Sequence, residues 1–203
     1  MKIICVGRNY LNHINELGNR KPDSPVLFLK PETSIIQKKQ PFFKPNFSKE
    51  VHFEVEVIIK INRLGKCILP KFSNKYYTEI SLGIDFTARD LQKKLKKDGL
   101  PWEKSKAFDG SALIGKWIKK DEFVDINNLN FSLFKNGKKV QSGNTSNMIW
   151  KIDKLISEIS NFFTLKIGDI IFTGTPSGVG PVIEGDVLVG YINDNEIFNI
   201  KIK

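Results

Sequence analysis

Eight short runs rich in Val, Ile and Phe, each flanked by Gly, Pro, Asn or Asp, limit what this chain can fold into more than any other feature. They are Lys2–Val6, Val26–Leu29, Phe53–Ile61, Ile80–Phe86, Phe131–Phe134, Ile170–Thr173, Asp186–Ile192 and Glu196–Ile202. Helical spacing is confined to three places: a short turn over Leu11–Leu17, Ala88–Lys97 with Thr87 as its cap, and Met148–Asn161, where Ile149, Ile152, Leu155, Ile156 and Ile159 share a face. Strands and helices do not alternate. A doubly wound parallel sheet therefore fits less well than a β-rich α+β fold of rolled, mixed β-sheets with a few short peripheral helices. The segment Lys38–Lys49, with Pro41 and Pro45, reads as a loop, because neither flank is large enough to fold alone. At 203 residues the expectation is a single unit spanning 1–203.

Composition narrows the function classes. No window approaches the roughly 18 consecutive apolar residues of a membrane span, and the apolar start Met1–Val6 meets Gly7-Arg8-Asn9 before a secretory core forms. A cytoplasmic protein with no membrane partner is expected. Cys5 and Cys67, the only cysteines, are too few for a disulfide scaffold or a four-ligand zinc site and read as buried free thiols. The net charge of +10 could be the footprint of a nucleic-acid binder. Yet 28 of the 32 cations are lysines scattered from Lys2 to Lys203, a drift at tolerant surface positions, so no nucleic-acid partner is expected. The same field would steer a small anionic substrate.

In Val51-His52-Phe53-Glu54-Val55-Glu56-Val57-Ile58-Ile59 the two glutamates alternate along an apolar strand, so both carboxylates point to one face. Carboxylates this close repel unless a cation holds them, and oxygen ligands suit Mg²⁺, Mn²⁺ or Ca²⁺. A solvated strand face is the alternative. Asp85, which ends an apolar run through Gly83, would complete a three-acid site with positions left for water and substrate. His52 shares the alternation, as a ligand or a partner behind the ligands. Arg89 and Gln92, three apart, share a helix face suited to a carboxylate or carbonyl, unless Arg89 merely pairs with a surface acid. Lys106, between Trp102 and Phe108, is either a snorkelling lysine or a fixed cation facing developing negative charge.

His13 and Glu16 share a face of a helical turn. A carboxylate beside imidazole orients it and raises its basicity, as a general base needs, though surface pairs show the same spacing. Gly168–Pro181 reads as a strand running into a Gly- and Pro-rich loop. It lacks the Gly-Lys-Ser/Thr of a phosphate loop, and Pro176 and Pro181 forbid an immediate helix. It either presents backbone N–H groups and the Thr175 hydroxyl to an anion or is a tight structural turn.

Six blocks in order resemble the fumarylacetoacetate hydrolase family: Cys5-Val6-Gly7-Arg8-Asn9-Tyr10, Leu27-Phe28-Leu29-Lys30-Pro31, Phe53-Glu54-Val55-Glu56, Gly83–Asp90, Lys106-Ala107-Phe108-Asp109 and Thr173–Gly180. The resemblance runs over nearly the whole chain. It is similar to the short form, the acylpyruvate hydrolase and oxaloacetate decarboxylase type, since the sequence starts directly at the Gly-Arg-Asn-Tyr block. The resemblance implies the family's rolled β fold, a homodimer, and a Mg²⁺ or Mn²⁺ site with Glu54, Glu56 and Asp85 as ligands. It further implies substrate contacts at Arg89, Gln92 and Thr175, catalytic roles for Lys106 and the water-activating dyad His13 and Glu16, and a lid over residues 8–24. Gly18–Ser24 falls in the variable part of that lid, and Asn193-Asp194-Asn195-Glu196 lacks the family's usual turn glycine. The expected activity is metal-dependent cleavage of a carbon–carbon bond in an acylpyruvate-type 2-oxo acid, with decarboxylation or tautomerisation of oxaloacetate through the same enolate. Alternatives are a 2-hydroxyhepta-2,4-diene-1,7-dioate isomerase or decarboxylase, and a non-catalytic binding protein.

Overall fold

The computed structural model describes residues 1–203. In chain order its strands are β1 (Ile3–Gly7), β2 (Val26–Lys30), β3 (Val51–Phe53), β4 (Val55–Ile61), β5 (Tyr77–Asp85), β6 (Thr87–Ala88) and β7 (Ala112–Ile114), followed by β8 (Ile118–Lys119), β9 (Asn130–Lys135), β10 (Lys138–Asn144), β11 (Ile170–Phe172), β12 (Gly180–Pro181), β13 (Val187–Ile192) and β14 (Asn195–Lys201). The helices are α1 (Leu11–Glu16), α2 (Pro70–Ser73), α3 (Arg89–Lys97), α4 (Glu103–Lys106) and α5 (Ile152–Phe162).

The apolar runs find partners far away in sequence. A seven-stranded sheet takes the order β2-β1-β11-β4-β5-β7, with β8 also on β5. Only β1 and β11 run parallel, so the sheet is mixed. A four-stranded antiparallel sheet, β10-β9-β13-β14, packs across it, with β13 and β14 over β5 and β9 over β4. Val57, Leu82, Leu133, Leu188 and Phe198 meet in one core between them. Each such side chain, once buried, contributes about 1.5–3 kcal/mol. α5 lays Ile152, Leu155, Ile156 and Ile159 into the same core.

A third, three-stranded sheet, β12-β3-β6, positions the site. The chain leaves the large sheet for this small one twice at the same level: between β4 and β3 at Glu54, and between β5 and β6 at Phe86. The Asp85 N–H donates to the Glu54 carbonyl at 2.9 Å and ties the two crossings together. Strands that switch sheets make a corner. Here the corner is where acidic side chains enter the interior.

Several expectations are corrected. Thr87 does not cap α3: it lies in β6, and its hydroxyl contacts the Asp85 carbonyl and the Lys106 ammonium. The third helix begins at Ile152 rather than Met148, because the Ile149 and Trp150 N–H groups bond to the Asn9 carbonyl and side-chain oxygen. Cys5 is buried, but Cys67 is exposed in the connection between β4 and α2. The Asn193 turn needs no glycine, since asparagine itself takes the left-handed conformation at φ 50°. Residues 38–49 form no helix or extended strand, as expected of a loop. No helix is long and apolar enough to cross a membrane.

Candidate active site

Glu54, Glu56 and Asp85 converge at the corner, all buried, with one carboxylate oxygen from each within 4.8 Å of the others. Their surroundings differ. Glu54 accepts from Lys106 Nζ at 2.9 Å and from Arg89 Nη2. Burial opposes its ionisation, but Lys106, Arg89 and His13 hold it well below the usual carboxylate range. Glu56 accepts one hydrogen bond, from the Gly174 N–H at 2.7 Å, and pairs with no cation. Burial, then Asp85 and Glu54, push it well above the usual range. Gly174 is required at that contact: at φ 102°, a Cβ there would lie 2.7 Å from Asn9 Cβ.

Lys106 sits among these acids, 2.7 Å from Asp85 Oδ2 and 2.6 Å from Thr87 Oγ1. Burial opposes its charge, yet Asp85 and Glu54 raise its pKa, so it is a fixed ammonium and not a snorkelling one. A second buried lysine, Lys30, has no exposed surface. Its ammonium donates to the Lys106 and Ser111 carbonyls and to Ser111 Oγ. Those bonds use its three protons. It therefore stands 2.9 Å from Asp85 Oδ1 as a counter-charge, while that oxygen accepts no hydrogen bond. A buried Glu56 with no cation partner, an Asp85 oxygen that accepts no hydrogen bond and an all-oxygen donor set fit a hard divalent cation.

The wall beside the trio is a chain of polar contacts. Arg89 Nη1 donates to Gln92 Oε1 at 2.6 Å, Nη2 to Glu54, and Nε to His52 Nδ1 at 3.4 Å. Because arginine only donates, Nδ1 is the acceptor, so His52 carries its proton on Nε2 and donates it to Glu50 at 2.9 Å. Burial, then repulsion from Arg89, lowers the His52 pKa and favours that neutral form. His52 is thus not part of the trio. The strand break at Glu54 interrupts its alternation and leaves it on the small sheet behind Arg89. Arg89 keeps two N–H groups, and Gln92 its amide N–H₂, for another partner.

His13 lines the same pocket from α1. Its Nδ1 is 3.1 Å from Glu16 Oε2, and Glu16 Oε1 accepts the Gly178 N–H at 2.9 Å. With Nδ1–H directed at a carboxylate, Nε2 is the basic nitrogen. Thr175 also lines the pocket, but its hydroxyl is not offered to an anion. It donates to the Val55 carbonyl at 2.9 Å and accepts from Gln141 at 2.9 Å. Lys30, His52 as a partner of Arg89, and Gln141 as the clamp on Thr175 escape a reading of sequence spacing. Of these, Lys30 carried a signal as part of a family-like block, and the strand alternation marked His52 as a ligand or a partner behind the ligands, of which the second holds, through Arg89.

A family model described as fumarylacetoacetate hydrolase C-terminal matches residues 2–203. The chain is 45% identical over 188 residues to an oxaloacetate tautomerase of Escherichia coli, covering 92% of this chain and 86% of the relative. It is 43% identical over 188 residues, with the same coverages of 92% and 86%, to a mitochondrial oxaloacetate decarboxylase of Dictyostelium discoideum. Among solved structures, fumarylpyruvate hydrolase of Pseudomonas aeruginosa in complex with Mn²⁺ and pyruvate superposes with a TM-score of 0.93 at 31% identity, covering 100% of this chain and 89% of that one.

Proposed function

The chain belongs to the fumarylacetoacetate hydrolase family, and from that premise we propose that it is a divalent-metal enzyme acting on short 2-oxo acids through their enolates, with enol–keto tautomerisation of oxaloacetate as its leading activity. The observation that carries the proposal is the buried trio with Glu56 left without a counter-ion. Glu54, Glu56 and Asp85 would hold Mg²⁺ or Mn²⁺. The names of the relatives support oxaloacetate as substrate. When bound, the metal supplies Lewis acidity that stabilises negative charge on the 2-oxo oxygen.

The chain's own residues do the rest. The free N–H groups of Arg89 and Gln92 fix a carboxylate of the substrate. Lys106 stands as a preorganised cation beside the developing oxyanion. Thr175, clamped by Gln141, walls the pocket. Toward the enol, His13 Nε2 takes a proton from carbon 3, forming an imidazolium that Glu16 stabilises, while the enolate oxygen takes a proton from water; toward the keto form both transfers reverse. A second reading, hydrolysis of acylpyruvates, is favoured by the same pair: His13 Nε2 takes a proton from water, the hydroxide adds to the distal carbonyl, and the bond to carbon 3 breaks to release a carboxylic acid and the pyruvate enolate, which takes the proton back from the imidazolium.

Turnover of enol-oxaloacetate and of acetylpyruvate, with EDTA or with added Mg²⁺, tests the proposal. Activity on both that is untouched by chelation contradicts the metal reading. His13→Ala is expected to lower tautomerisation and acetylpyruvate cleavage about 10²–10⁴-fold. It should leave oxaloacetate decarboxylation largely intact, because CO₂ departs without prior proton transfer. Equal loss of all three contradicts the role given to His13.

A further inference from the structure

The mouth of the pocket carries cations that the floor does not use. Arg8, at the end of β1, and Lys96, in the last turn of α3, both line the pocket, and neither forms an ion pair. Both donate instead to one neutral atom, Asn19 Oδ1, from Arg8 Nη2 at 3.2 Å and from Lys96 Nζ at 2.8 Å. Arg8 adopts φ 59°, left-handed backbone that a non-glycine residue takes at a cost, and it turns between β1 and the segment leading to α1. Partial burial, then repulsion from Arg8 and Arg89, lowers the Lys96 pKa, as expected where like charges face one another without an anion.

We infer that Arg8 and Lys96 form a subsite for the distal carboxylate of a 2-oxo dicarboxylic acid, with the Asn19 amide oxygen holding the place of that carboxylate. This rests on the reading that the floor takes the 2-oxo acid end. Two cationic donors on an amide oxygen make the pattern that a carboxylate oxygen satisfies better, because donor and acceptor of both bonds are then charged. Asn19 is tied to α1 through its own N–H on the Ile14 carbonyl at 2.9 Å. The subsite therefore adjoins the helix that carries His13 and Glu16. A monocarboxylic acylpyruvate with an apolar tail leaves both cations without an anion, so the site discriminates by charge at the far end of the substrate.

The test is calorimetric binding, in the presence of Mg²⁺, of a pair of 2-oxo acids of equal chain length: 2-oxoglutarate, with a distal carboxylate, and 2-oxopentanoate, without one. The wild-type chain is compared with Lys96→Met and with Arg8→Asn, a residue that tolerates the left-handed backbone. The wild type is expected to favour the dianion, and each variant to lose about tenfold of that preference while binding 2-oxopentanoate as before. Lys96→Arg should restore it. A preference unchanged in both variants, or equal weakening of both ligands, overturns the subsite while leaving the 2-oxo acid floor intact. Failure of the wild type to bind either ligand overturns the floor reading and the subsite with it.

Discussion

The floor and the mouth of the pocket use the same kinds of charged side chain and differ in what restrains them. On the floor, Lys30 at the end of β2, Lys106 in α4 and Glu54 where the chain changes sheets are buried and fastened by several hydrogen bonds each. At the mouth, Arg8 and Lys96 share one amide oxygen, and the nearby residues Leu11 and Leu17 are exposed. The floor is built to keep its geometry when empty; the mouth gains its strongest partners only when a ligand arrives. Chemistry that must be preorganised belongs on the first, and recognition of a substrate tail on the second.

That contrast is tested most severely at Lys30. Lys30→Met removes a buried counter-charge from Asp85 and should lower unfolding stability by about 3 kcal/mol, read from urea denaturation. A loss no larger than that of Lys96→Met would erase the difference between the two regions. His52→Ala comes next. Without its hydrogen bond, Arg89 loses one anchor, so KM should rise roughly tenfold while kcat changes little. A fall in kcat with unchanged KM would give His52 a different role. The smallest effect is expected at Asp90, on the outer side of α3. Partial burial works against its charge, but Ser48 Oγ and the Lys49 and Leu91 N–H groups hold it below its ordinary value of 3.8. A depressed acid stabilises the fold above its unfolded pKa and ceases to as pH falls through the folded value. The stability advantage of wild type over Asp90→Asn should therefore be present at neutral pH and fade below about pH 4. An advantage that grows on acidification would contradict those contacts.

The strand runs were legible because Val, Ile and Phe crowd into short stretches bounded by Gly, Pro, Asn or Asp, and the acidic trio because alternation plus a strand-end acid put Glu54, Glu56 and Asp85 on the page. β10 was not anticipated, although Asn136-Gly137 ahead of it is a strong hairpin signal, with both residues at positive φ. β6 and β12 are two residues long and exist only as partners of β3, so no periodicity announces them. Thr87 looks like a helix cap in sequence, yet its hydroxyl is held by Lys106, a contact made across 19 positions. The pair His13–Glu16 forms within one helical turn, and local spacing was enough to find it. The Glu50–His52–Arg89 chain needs α3 to dock on β3, which local pattern does not encode.

The central claim is that the corner trio binds a divalent cation, and calorimetric titration of Mn²⁺ into the metal-free protein tests it directly. The account predicts a single saturable site per chain, weakened in Glu56→Gln by at least about 100-fold, since even residues behind metal ligands cost 10- to 100-fold. Metal-free Glu56→Gln should be no less stable than the wild type, because burial, Asp85 and Glu54 already disfavour charge at that position. Mn²⁺ binding of equal strength in the wild type and Glu56→Gln would contradict the account.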